Sequence, residues 1–201
     1  LCDPKAQAMA AFGPHRAPYC GISTQAPIVM GVVNVTPDSF SDGGRFASPE
    51  SAIAQGVALA EAGAAIIDVG GESTRPRASP VSADEEIART VPVVRALAER
   101  NLRVSIDTRN GQVAQAALAA GAMVVNDIMA LSDPRAMAAV ASSKASVLLM
   151  HMQGEPSTMQ ANPVYRWAPG DIYDFLSGRI EACAAAGIAR DRIAIDPGLG
   201  F

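Results

Sequence analysis

The chain has 201 residues, of which 49% are hydrophobic and 18% charged, and a net charge of −4. This is a one-domain length with ample material for a core, and neither its mild acidity nor any apolar run favours nucleic acid, an anionic lipid surface or a membrane span. An anionic substrate would need its charge met locally, by a few arginines, a helix N-terminus or a metal. The three cysteines, Cys2, Cys20 and Cys183, are odd in number and show no ligand-like spacing, which points to reduced thiols in a cytoplasmic protein.

Residues 1–27 lack the basic-then-apolar layout of a signal peptide and read as an irregular lead-in, and residues 28–201 read as one domain. The run Ile28–Val33 has the length and β-branched content of a strand buried on both faces. It stops at Asn34, where a loop rich in Pro, Asp, Ser and Gly begins. Ser48-Pro49-Glu50 opens a helix with Ser as N-cap, and Ile53, Val57 and Ala60 share its apolar face up to Gly63 as the C′ residue. Five more short apolar runs follow, at Ala65–Gly70, Arg103–Asp107, Met123–Asp127, Ser146–His151 and Arg192–Asp196. Helical spacing fills the intervals. Ser82-Ala83-Asp84-Glu85 is a capping-box pattern ahead of Ile87, Val91 and Val94, in a helix that Pro92 is expected to kink. Val113–Ala120 forms the next helix, and Asp133-Pro134 opens another through Ser142. Ile172, Phe175, Leu176, Ile180 and Cys183 stripe the last one before Gly187.

Strand and helix alternating without a linker predict an α/β fold with a parallel sheet. The sheet is either open and doubly wound or closed as a (β/α)8 TIM barrel. Nearly every predicted strand ends in a polar residue: Asn34, Asp107, Asn126-Asp127, His151 and Asp196, with Asp68 just inside the second. An open sheet gathers its chemistry at one switch point, whereas a barrel gathers it from strand after strand at one rim. The prediction is a TIM barrel. Six strands fall short of such a barrel, and a six-strand partial barrel leaves two apolar edges unpaired. Two further strand–helix units are therefore expected to be missing from this chain, the alternative being a six-strand protein that dimerises across its edges.

Asp107, Asn126 and Asp196 are strand-end residues, each of which could simply bond a backbone N–H in the loop that follows. Three together at one rim can also read a heterocycle edge of alternating N–H and carbonyl groups. Ile128 and Met150 suit either the wall of such a pocket or ordinary core. Asn34, at the base of a glycine-containing loop, is an oxygen ligand of the kind Mg²⁺ combines with substrate phosphates. The loop Gly71–Pro76 supplies a hydroxyl at Thr74 and a guanidinium at Arg75, shaped for diphosphate oxygens although a solvated surface role is the ordinary one. Asp68 reads as structural and His151 as a loop anchor.

Two stretches, NVTPDSFSDGG at 34–44 and DVGGESTRP at 68–76, resemble the dihydropteroate synthase family of the folate pathway, and the similarity runs from about Ile28 to the last residue. The resemblance implies a pterin held by Asp107, Asn126 and Asp196 between Ile128 and Met150, and a magnesium ion on Asn34. It implies substrate contact at Thr74, a leaving diphosphate met by Arg75, a p-aminobenzoate site walled by Phe40 and Pro76, and Asp42 near the reacting methylene. Asp107, Arg75 and Asp42 would then be catalytic, the substrates pterin diphosphate and p-aminobenzoate, and the assembly a homodimer. The family's lysine on the seventh strand and Arg/His pair on the eighth have no counterpart, so this chain alone is expected to lack catalysis. Arg77 also stands where the family usually has Gly. Two rivals share the pterin-reading residues. One is the pterin-binding domain of methyltetrahydrofolate-dependent methyltransferases, which has no use for the diphosphate loops, and the other is a non-catalytic pterin-binding paralogue.

Overall fold

In a computed structural model, which describes residues 18–36, 48–72, 81–154, 158–159 and 162–200, six strands alternate with five helices. The strands are β1 (Met30–Asn34), β2 (Ile66–Gly70), β3 (Val104–Asp107), β4 (Val124–Asp127), β5 (Ser146–Met150) and β6 (Ile193–Asp196). The helices are α1 (Pro49–Glu61), α2 (Ala83–Ala98), α3 (Gly111–Ala119), α4 (Pro134–Ala141) and α5 (Ala168–Ala185). Four of the helices begin on a side-chain cap: Ser48, Ser82, Asn110 and Asp133 each accept a bond from an N–H of the first turn, which satisfies a donor the helix itself cannot. After α1 the chain reverses at Gly63 with φ of 106°, a left-handed conformation that costs glycine nothing.

Every strand pairs in parallel with its neighbours in sequence, in the order β1-β2-β3-β4-β5-β6. A doubly wound sheet reverses its order at a switch point. This one never does, and its order is that of six consecutive units of a (β/α)8 barrel. Alternate residues on each strand serve different layers. Val33, Ile67, Val69, Val104, Ile106, Val125, Val147 and Leu149 pack outward with Leu97, Val113, Leu176 and Cys183 from the helices. Each such fully buried aliphatic side chain contributes about 1.5–3 kcal/mol, so this outer layer carries most of the stability. The opposite face of the sheet carries the polar residues among apolar ones, with Asp68 level with Ser105 and, one layer higher, Gly70 level with Asp107 and Asp107 with Asn126.

Several boundaries and local features differ from the sequence expectation. β1 starts at Met30 rather than Ile28 and includes Asn34. α3 starts two residues before Val113, because Asn110 caps it and accepts from the Gln112 N–H. Pro92, where a kink is expected, does not end α2, and it sits on the exposed face where the Ala88 carbonyl that loses its partner can meet water. Only half of the capping box forms: Ser82 caps the Glu85 N–H, while the Glu85 carboxylate pairs with Arg89 instead of turning back. Within the expected lead-in, Tyr19 and Ile22 pair as a tight antiparallel bridge.

Candidate active site

The strand register lines up the polar strand ends. Asn34 is level with Gly70, Gly70 with Asp107, and Asp107 with Asn126. On the far side Asn126 is level with Leu148, and Asp196 with Met150, two residues higher. The stagger is what tilted barrel strands produce. Asn34, Asp107, Asn126 and Asp196 thus share the C-terminal end of the sheet, on its inward face. Gly70 keeps the middle of the row open. A Cβ there would lie 3.4 Å from Asp107 Oδ2 and 3.5 Å from Asn34 Oδ1, so both oxygens face the same space above its backbone.

Each of these side chains has a distinct environment. Desolvation, followed by the carboxylates of Asp68 and Glu86, holds the Asp107 carboxyl well above the usual carboxylate range. Asp107 therefore gains from any ligand that donates N–H groups to it. Asn126 donates through Nδ2 to Asp68 Oδ2 at 3.0 Å. Asp196 accepts from the Gly198 N–H through Oδ1 at 2.8 Å, so the loop-capping role open to it in the sequence is real and occupies one of its oxygens. Gly198 has φ of 71°, and a Cβ on it would fall 2.1 Å from the His151 carbonyl oxygen. No other residue fits this turn, and the turn fixes the Asp196 carboxyl.

Ile128 and Met150 meet in a small apolar cluster with Met152 and Met159, apart from the main core. The flexible thioethers give this wall a soft, polarisable surface suited to a flat ring. Met152 and Met159 were not singled out in the sequence, where a Met in a loop carries no pattern.

The loops above β4 and β2 are braced from outside. Asp127, facing away from Asn126, accepts from the Met129 and Leu131 N–H groups at 2.7 and 2.8 Å. Arg179 on α5 donates to the carbonyls of Ala130 and Leu131, both of which are left-handed. That strain is held in place directly beside Ile128. Burial pushes the Asp127 carboxyl up to about 6, against the pull of its two backbone donors. Arg109 grips Glu72 with two bonds of 3.0 and 3.1 Å, and Arg89 bonds the Gly71 carbonyl at 3.1 Å, which ties the start of the β2 loop to β3 and α2. His151 contacts the rings of Tyr165 and Phe175 at 5.8 and 5.1 Å, as an anchor does. Phe40, Asp42, Thr74, Arg75 and Pro76 lie outside the described residues.

Among the described residues no group of three His, Cys, Asp or Glu side chains is set up to hold a metal. Mg²⁺ keeps several waters and takes few protein ligands beside substrate phosphates, so Asn34 Oδ1 and Asp107 Oδ2 facing one space fit its needs. A cavity of about 500 Å³ lies at the opposite end of the strands, lined by residues such as Cys20, Met123, Lys144 and Arg192, and it includes none of the polar strand ends.

A family described as pterin binding enzymes matches residues 30–201. Dihydropteroate synthase of Escherichia coli (strain K12) is 47% identical over 176 residues, which is 87% of this chain and 62% of that protein. A crystal structure of Burkholderia cenocepacia dihydropteroate synthase complexed with 7,8-dihydropteroate matches with a TM-score of 0.79 at 42% identity, covering 90% of this chain and 61% of that one. Xanthomonas albilineans dihydropteroate synthase with 4-aminobenzoic acid matches with a TM-score of 0.81 at 46% identity, covering 90% and 64%. The chain spans less than two thirds of the length of each.

Proposed function

Because the chain belongs to the pterin binding enzyme family, we propose that it serves the dihydropteroate synthase reaction, joining a dihydropterin-methyl diphosphate to p-aminobenzoate. The bond from the pterin methylene to the diphosphate oxygen breaks, the aniline nitrogen takes its place on carbon, and that nitrogen loses a proton to water as diphosphate departs. The observation that carries this proposal is the meeting of Asn34, Asp107, Asn126 and Asp196 beside the Ile128–Met150 wall at one end of the sheet. Two carboxyl groups and an amide suit a ring edge that alternates donors and acceptors, and the apolar wall suits the ring face.

Asp107, Asn126 and Asp196 orient the ring. Arg75 stabilises charge gathering on the leaving oxygens, Thr74 contacts substrate, Asp42 stands near the methylene, and Phe40 and Pro76 border the p-aminobenzoate. Asn34 would hold Mg²⁺ beside substrate phosphate oxygens, where the ion would add to the neutralisation of the diphosphate. In this proposal the protein acts in the cytoplasm as a homodimer on small molecules, with neither nucleic acid nor membrane as partner. The names of the relatives, and the ligands named in their structures, support it.

The test is to supply pterin diphosphate, p-aminobenzoate and Mg²⁺ to a form of the protein that includes the seventh and eighth strand–helix units, and to follow dihydropteroate by chromatography. Product is the expected result. Tight binding of the pterin diphosphate without product would establish a binding protein instead, and the absence of both would end the proposal.

A further inference from the structure

Asn126 has a partner to which the pterin site gives no role. Asp68, on β2 one layer below the polar row, is 4% exposed and accepts from Asn126 Nδ2 at 3.0 Å. Its other oxygen, Oδ1, has only the hydroxyl of Ser105, its neighbour in register, beside it, and that contact falls short of good hydrogen-bond geometry. A buried carboxyl group is a poor way to fill space, because it costs stability that an apolar side chain would not. Packing alone does not account for it.

What the contact does is orient. The two ends of a carboxamide have nearly the same shape and opposite hydrogen-bonding sense, so a bare Asn side chain can present either. With Asp68 ionised, or protonated on Oδ1, Oδ2 accepts as the observed bond requires, and it then admits the N–H end of Asn126. The carbonyl Oδ1, with the remaining N–H, is left for whatever enters from the rim.

Resting on the pterin reading of this site, we propose that Asp68 is a positioning residue that fixes the donor–acceptor polarity of Asn126 and so biases the site toward rings whose edge presents N–H donors. A pterin has such an edge, with an amino group at C2. Lumazine has the same bicyclic frame with an oxo group at C2 and a hydrogen on N1, and so inverts the donor and acceptor at those two positions.

The experiment titrates free pterin and lumazine into the protein by calorimetry and takes the ratio of the two dissociation constants. The wild type is expected to favour pterin by about tenfold or more, the size of effect that one mismatched buried hydrogen bond produces. Asp68→Asn keeps the volume but offers an amide that donates as well as accepts, so Asn126 is released to sit either way. The ratio is expected to fall about fivefold or more, with the thermal midpoint shifted by only a few degrees, on the order of a 1 kcal/mol change. A merely structural role would move the midpoint and leave the ratio alone, and a folded variant whose ratio stays within about twofold of wild type overturns the inference. Should Asp68→Asn fail to fold, the exchange Asp68→Asn with Asn126→Asp restores one donor facing one acceptor and again leaves an acceptor toward the rim. It is expected to recover the preference, and a folded exchange variant without it overturns the inference. A wild type that binds neither ring overturns the pterin reading and this inference with it, whereas a wild type that prefers pterin isolates the question to Asp68.

Discussion

Glu86 on α2 is 2% exposed, its Oε1 has no partner, and a Cβ on Gly71 would lie 3.0 Å from its Cγ. Burial pushes its carboxyl from 4.5 up to about 7, with Glu72 adding to the shift and Thr108, Arg109 and Arg89 opposing it. A carboxyl whose pKa is higher folded than unfolded gives its full stability at low pH, and that stability is lost as pH rises from about 4.5 through about 7. Glu86→Gln removes the ionisation. The unfolding free energy of the wild type, from urea titrations, is expected to fall relative to Glu86→Gln across that window, by at most roughly 1.4 kcal/mol per pH unit. Parallel curves for the two proteins would contradict it. Sequence could say what such side chains are able to do but not with whom. Asp196 was open to a loop cap or a ligand, and it caps Gly198 with one of its two oxygens. Glu86 escaped notice because a lone helical Glu ordinarily faces water. The signal was its spacing, which puts it on one face with Thr90, Val93, Val94 and Leu97, all of them buried.

The strand–helix unit was the most legible level, since it rests on repeated local patterns: a short β-branched run, a polar strand end, a cap, an apolar stripe. What remained hidden were features settled between units. Asn110-Gly111 looks like a turn because Gly is a poor helix former, yet Gly111 opens α3. The reason is contact with α4. The Gly111 N–H donates to Asp133 Oδ2 at 2.8 Å, and Asp133 Oδ1 caps Arg135 at the same distance, so one carboxylate fastens two helix starts together. A Cβ at Gly111 would sit 2.4 Å from Arg135 Cβ and 2.5 Å from the Ala136 nitrogen. Gly111→Ala is expected to destabilise the protein by about 1–3 kcal/mol, since backbone cannot swing aside as a flexible side chain can. Chemical denaturation measures this, and an unchanged midpoint would mean that α3 and α4 are less firmly joined than their contacts show.

For the molecule as a whole, barrel order was legible because polar strand ends recur in unit after unit. The register, and with it the spatial row from Asn34 to Asp196, was not, since no local pattern encodes how far one strand slides along the next. Among the described residues β1 pairs only with β2 and β6 only with β5, and Val32 and Ile195 on these outer strands are about half exposed. Unpaired apolar edges recruit other strands. The isolated chain is accordingly expected to show a mass that rises with concentration in sedimentation, reduced by Ile195→Lys, and a constant mass at all concentrations would rule that out. The same openness has a consequence for ligands. Asn34 belongs to β1 and Asp196 to β6, so a molecule gripping both would tie together strands that share no backbone pairing among the described residues. Filling the mouth and drawing the outermost strands together then become one equilibrium, in which occupancy tightens the sheet and a tighter sheet holds its guest longer.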